Sequence, residues 1–128
     1  MFTRQRILDL ALALSGASSD MPFEGDFDST VLRHRDSGKW FGLLMKAPRN
    51  RIGLDGEGMA DILNLKCDPL LGYGLRQIHP DLVPAWHMNK QHWITVRLEG
   101  DLPEEVLASL IQMSYDLTGP RRKKDSGA

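Results

Sequence analysis

The chain has 128 residues, 41% hydrophobic and 26% charged, with a formal net charge of −1. That size suits one domain around a single core, and the near-neutral balance supplies no overall basicity to hold nucleic acid. One cysteine, Cys67, excludes an intramolecular disulfide framework and a cysteine-rich zinc site, and fits a reducing compartment.

Thr3 can cap a first helix, because Ile7, Leu10, Ala11 and Leu14 recur on one face before Gly16. Arg4 and Arg6 ahead of the apolar run Ile7 to Leu14 imitate a signal peptide, but Asp9 interrupts the run and it is too short to span a bilayer. A helix and a cytoplasmic location are expected. Ser18 to Asp28, acidic and broken by Pro22 and Gly25, reads as a loop.

Val31 to Arg35 and Trp40 to Lys46 read as strands joined by the turn Asp36-Ser37-Gly38. Pro48 to Gly58 reads as a loop. Ala60 to Lys66 is a third strand, with Leu63 and Leu65 on one face and Ile62, Asn64 and Lys66 on the other. Asp68-Pro69 starts a second helix running through Ile78, weakened by Gly72 and Gly74.

Pro80 and Pro84 bracket a connection, and Ala85 to Asn89 is either a short strand or an extended loop. From His92 to Glu99, Ile94, Val96 and Leu98 point inward while Thr95, Arg97 and Glu99 point outward. Asp101 and Glu104 have capping-box spacing around Pro103. The helix they open carries a stripe of Val106, Leu110, Met113 and Leu117, and Gly119-Pro120 end it.

The expected order is α-β-β-β-α-(β)-β-α, an α+β fold in two layers, with a mostly antiparallel sheet and helices packed on one face. Residues 1–120 form one domain, and 121–128 a basic tail expected to be disordered. The tail holds four of the sixteen basic residues, so without it the charge of −1 falls to −5.

Basic residues nevertheless cluster between positions 33 and 51. Arg33, Arg35, Lys39, Lys46, Arg49 and Arg51 face only Asp36, a hairpin with five net positive charges. Such a hairpin can follow a phosphate backbone, with Lys90 and Arg97 adding charge further along. The run from Pro84 to Trp93 holds Trp86, His87, Asn89, Lys90, His92 and Trp93. Such a density of polar and aromatic groups suits a surface that stacks on a ligand or hydrogen-bonds to it. Trp86 and Lys90 are the two expected to be exposed.

That run, with Asn64-Leu65-Lys66-Cys67-Asp68-Pro69 before it and Leu102-Pro103 and Ser114-Tyr115-Asp116-Leu117 after it, resembles the MmcQ/YjbR family of small bacterial proteins. Its most specific part is His87-Met88-Asn89-Lys90-x-His92-Trp93, where Met88 replaces the usual leucine. The resemblance implies a "double-wing" DNA-binding fold, similar to that of secretion chaperones, and a non-enzymatic protein whose partner is DNA. In that reading the Arg33 to Arg51 hairpin is one wing and the strands around Trp86 to Arg97 the other, with Asn89 placed to read a base edge.

Other chemistry has less to build on. His87, His92, His79 and Cys67 offer metal-ligand types, but the spacing of the two nearer histidines does not converge on one point. Cys67 lies before a helix start that could activate a thiol, yet it shares strand parity with Leu63 and Leu65, as a core residue would. No nucleophile elbow, phosphate loop or paired-carboxylate pattern is present. The expectation is therefore no enzyme activity, no metal and no cofactor. The alternative to DNA is a peptide- or small-molecule-binding module using the Trp/His-lined sheet face. A third possibility is that the signature is structural, with Asn89 and Lys90 closing a turn.

Overall fold

Thr3 opens the first helix: its hydroxyl accepts from the Arg6 amide at 3.1 Å, satisfying one of the unpaired donors of the first turn. The computed structural model describes residues 1–120; the basic tail lies outside them. Helix α1 (Arg4–Leu12) buries Ile7 and Ala11. Seven further segments of regular backbone follow before the last helix.

The first of these corrects an expectation. Ser18 to Asp28 is not wholly a loop, because β1 (Ala17–Asp20) pairs antiparallel with β2 (Thr30–His34), Ala17 opposite His34 and Asp20 opposite Val31. Ser-Ser-Asp has little strand preference of its own. The ladder to β2 and the Arg33–Asp20 ion pair at 2.6 Å hold it, a tertiary context outweighing propensity.

Next come β3 (Trp40–Pro48), β4 (Met59–Lys66), α2 (Pro69–Ile78), β5 (Leu82–Pro84) and β6 (Trp93–Arg97), with a single 3₁₀ turn at Arg49–Arg51. The short fifth strand lies just before the stretch left open between strand and loop. Asp68 caps α2 as expected, its carboxylate accepting from the Leu70 and Leu71 amides. Helix α3 (Glu104–Thr118) closes the fold.

All strands pair antiparallel in one six-stranded sheet of order β1-β2-β3-β4-β6-β5. One face carries Leu32, Leu44, Leu63, Leu65, Ile94 and Val96 against Ile7 and Ala11 of α1 and Leu107 and Ile111 of α3. The helices therefore lie on one side, as the α+β reading requires. A bulge between Leu32 and Arg33 leaves Phe41 without a partner on β2. Phe41 turns to the helix side, its ring 5.4 Å from those of His34 and Tyr115.

The opposite face is not left to solvent. Ala47, Ala60 and Ile62 pack beneath Ile52, with Met45, Leu54, Val83 and Trp86 around them. Thr95, expected to point outward, does leave the helix side, but it is fully buried under this second layer.

The last helix departs from its expected details in two ways. Pro103 takes the cap position with no side-chain hydrogen bond. Asp101 instead donates its amide to Asp81 at 2.8 Å, and Glu104 forms a two-bond pair with Arg6 at 2.7 and 2.6 Å. The capping box is absent because α1 offers Glu104 a charged partner, stronger than a backbone amide. The buried stripe is Leu107, Leu110, Ile111, Ser114 and Thr118, while Val106 and Met113 are half-buried and Leu117 is exposed. The small polar Ser114 and Thr118 belong to it because Ser114 donates to the Phe41 carbonyl beside the bulge and accepts from the Lys66 amide.

Candidate functional site

Strand β5 ends at Pro84, and the chain then leaves the sheet edge as a loop whose conformation is fixed from beneath. The Trp86 amide donates to Thr95 Oγ1 at 2.9 Å, and the Trp86 carbonyl accepts from Asn64 Nδ2 at 3.1 Å. Thr95 in turn donates its single hydroxyl proton to Asn64 Oδ1. Both polar side chains are fully buried, so each bond is made in a dry surrounding where leaving it unmade is costly.

Beyond Trp86 the backbone of His87 takes a positive φ of 62°, the one non-glycine residue among those described to do so. The two rings meet edge to face with centroids 4.3 Å apart. Asn89 Oδ1 accepts from the Gln91 and His92 amides at 2.9 and 3.0 Å, and its carbonyl accepts from Trp93. Lys90 Nζ reaches back to the Ala85 carbonyl at 2.8 Å and closes the neck of the loop. Asn89 thus shapes the loop through its side-chain oxygen, and Lys90 holds the loop shut while its body remains exposed.

The eight basic residues expected to meet phosphate fall into two groups of four. Arg33 pairs with Asp20, Lys46 with Asp61, Arg49 with Glu99 and Arg97 with Asp81. The Arg49–Glu99 pair has two bonds of 2.8 Å each; it holds the Glu99 carboxyl below the ordinary carboxylate range and raises the Arg49 guanidinium above its usual value. Arg97 also donates to the Ile52 and Gly53 carbonyls at 3.0 and 3.1 Å, so it anchors the turn lying over the second face. These four stabilise the fold where they stand.

Arg35, Lys39, Arg51 and Lys90 form no ion pair among the described residues. The structure brings only two of them to the signature loop. Arg51 lies over the Trp86 ring at 5.9 Å, and Lys90 lines the same groove. The groove is about 420 Å³, and Ile52, Gly53, Val83, Pro84 and Ala85 complete its lining. No carboxylate lines it. It offers two positive charges, one half-buried indole and an apolar floor.

His87 and His92 are both exposed; Trp93 is half-buried on β6, opposite Lys66. Cys67 is buried beside Gly72, and burial together with the neighbouring Asp68 charge raises its thiol above the usual range. That matches a core cysteine rather than an activated nucleophile.

Asn64 and Thr95 do not stand out in the sequence, where each reads as an outward strand position. Asn64 shares the parity of Ile62 on its own strand, but that Thr95 meets it follows only from the β4–β6 pairing.

The chain is similar to known proteins over most of its length. The YjbR family model matches residues 12–117. The chain belongs to the YjbR family. Uncharacterised protein YyaQ of Bacillus subtilis is 41% identical over 118 residues, covering 92% of this chain and 99% of YyaQ. Uncharacterised protein YjbR of Escherichia coli K12 is 45% identical over 113 residues, 88% of this chain and 84% of that one. A crystal structure of a Pseudomonas syringae protein superposes with a TM-score of 0.85 at 42% identity, covering 92% of this chain and all of that one. A Deinococcus radiodurans protein containing the DUF419 domain gives 0.73 at 28% identity, covering 98% and 88%. The YjbR fold is thus the six-stranded antiparallel sheet with three helices described above, and no helix among the described residues is long and apolar enough to cross a membrane.

Proposed function

We propose that this YjbR protein is a non-enzymatic binding module, and that it holds a single strand of DNA in the groove between Arg51 and Lys90. The carrying observation is that these two cations, neither paired with a carboxylate among the described residues, line a groove with Trp86 in which no described residue is acidic. An unstacked base has a flat face for the indole, and its flanking phosphates have partners in the two cations. A duplex keeps its bases stacked and gives Trp86 nothing to cover.

The pairing of Arg33, Lys46, Arg49 and Arg97 lowers the number of cations available to phosphate from eight to four. With two to four contacts, the log–log slope of affinity against salt is about −1.5 to −3 for a single strand. Binding is correspondingly modest, and a cytoplasmic setting fits the single reduced cysteine.

Fluorescence anisotropy of a labelled dodecathymidylate tests this. The full chain is used beside a variant with Arg121, Arg122, Lys123 and Lys124 changed to Ala, so that the tail cannot supply the signal. Salt-sensitive binding that survives in the tail variant and weakens at least tenfold on adding R51A and K90A supports the proposal. Equal affinity with and without R51A/K90A overturns it. Thymidine monophosphate is the further arm: if it competes as well as the oligonucleotide does per site, the module holds a small anion rather than a strand.

A further inference from the structure

At the far end of the β2–β3 hairpin, away from the β5 edge, a second cavity of about 420 Å³ opens between that turn, the Ser15-Gly16 bend and the last turn of α3. From the hairpin side it takes in Arg35 and Lys39, which form no ion pair among the described residues; Arg35 donates to the Ala17 carbonyl at 3.3 Å. Asp36, exposed at the tip of the same turn, is the one carboxylate among its lining residues.

The deeper wall has the opposite character. His34 is 7% exposed and stacks on Tyr115 with ring centroids 4.4 Å apart. Its Nε2 lies 2.9 Å from Thr118 Oγ1, and that hydroxyl lies 2.7 Å from the Ser114 carbonyl. A carbonyl oxygen only accepts, so the one hydroxyl proton goes to Ser114, and Thr118 must accept from His34. Neutral His34 therefore carries its proton on Nε2 and leaves Nδ1 as an acceptor with no partner among the described residues. Among the described residues Arg97 Nε is the one fully buried side-chain nitrogen or oxygen without a partner, so His34 Nδ1 keeps some contact with solvent. The C-terminal end of α3, at Thr118-Gly119, brings the negative end of the helix dipole to the same wall.

One wall is thus built to meet negative charge and the other to accept hydrogen bonds from a cation. We propose that this cavity binds a small zwitterion with the chemistry of a free amino acid, its carboxylate toward Arg35 and Lys39 and its ammonium toward His34 Nδ1 and the end of α3. A ring or apolar side chain on the ligand would lie against Tyr115. The site is separate from the Arg51–Lys90 groove and does not depend on it.

The probes are L-phenylalanine, N-acetyl-L-phenylalanine, which lacks the ammonium, and phenethylamine, which lacks the carboxylate. Each is titrated into the ¹⁵N-labelled full chain, with the amides of Gly16, Ser37, Lys39 and Gly119 and the His34 ring nitrogens followed by NMR. Saturable shifts with phenylalanine, at least tenfold weaker binding by either half-molecule, and movement of the His34 Nδ1 signal are expected. The variant R35Q/K39Q, altered only at exposed positions, should keep its amide spectrum elsewhere and bind phenylalanine at least tenfold more weakly. R51A/K90A should bind it unchanged. No cavity shifts at millimolar phenylalanine, equal binding by the acetylated probe, or undiminished binding by R35Q/K39Q would each overturn the proposal.

Discussion

Asn64 and Thr95 stand directly opposite each other on β4 and β6, hydrogen-bonded side chain to side chain, and between them they bind both backbone polar groups of Trp86. A pair of buried polar side chains in a sheet is here the foundation of an irregular surface loop. The sheet supplies rigidity, and the pair transmits it to the residue that lines the groove.

Asn64→Leu therefore leaves the Trp86 carbonyl without its donor, and Thr95→Val leaves the Trp86 amide without its acceptor. Each variant is expected to lose about 1–3 kcal/mol of stability in urea unfolding. The double variant should lose less than the sum of the two, because the bond between them is counted twice. Additive losses would show that the two act independently on Trp86.

A second expectation concerns Gly100, which has a φ of 151° and lies against the Asp81 carboxylate. That carboxylate accepts from both Arg97 and the Asp101 amide, so it cannot move aside freely. Gly100→Ala adds a methyl group into the space the carboxylate fills, on a backbone that L-residues avoid. Thermal unfolding should show a loss of at least about 2 kcal/mol, whereas Gly74→Ala, with open space around it in α2, should be neutral or stabilising.

Acid should weaken the fold in a traceable way. Arg49 holds Glu99, and Arg6 holds Glu104, below the ordinary carboxylate range, in each case mainly through the side-chain hydrogen bond. With native values depressed, the folded state binds fewer protons than the unfolded one. The resulting stability is present above the ordinary glutamate value of about 4.3 and fades as pH falls through the lower native values. The gap in melting temperature between the chain and E99Q/E104Q should therefore be larger at pH 7 than at pH 3. Because the Arg6–Glu104 pair is exposed and the Arg49–Glu99 pair only partly buried, it should also shrink in high salt. A gap independent of pH would assign the effect to packing instead.

Much of the fold could be read from local pattern. The alternation of Ile94, Val96 and Leu98 and the Asp68-Pro69 start both survive into the structure, because each rests on a few adjacent residues. What escaped depends on distant partners. Ser18 and Ser19 become strand only because β2 lies alongside, and the α3 stripe shifts by one residue because Ser114 is needed at the Phe41 bulge. At the site, Lys90 is exposed as expected, but Trp86 is half-buried, because its indole packs against the Ile52 and Ile62 layer that the sequence did not reveal. Nor could the sequence show that Arg33, Lys46, Arg49 and Arg97 each have a carboxylate waiting, since Asp20, Asp61, Glu99 and Asp81 reach them through the fold.

The left-handed backbone at His87 leads to one more consequence. A residue with a Cβ is held there at a cost of about 1 kcal/mol relative to an ordinary conformation. The clamp on Trp86 before it and the Asn89 turn after it keep the loop from relaxing. The loop is thus a tensioned element, and glycine is the residue that would slacken it. Histidine in that place trades ease of folding for an imidazole fixed against the indole, so the two rings stand as one rigid unit at the loop surface.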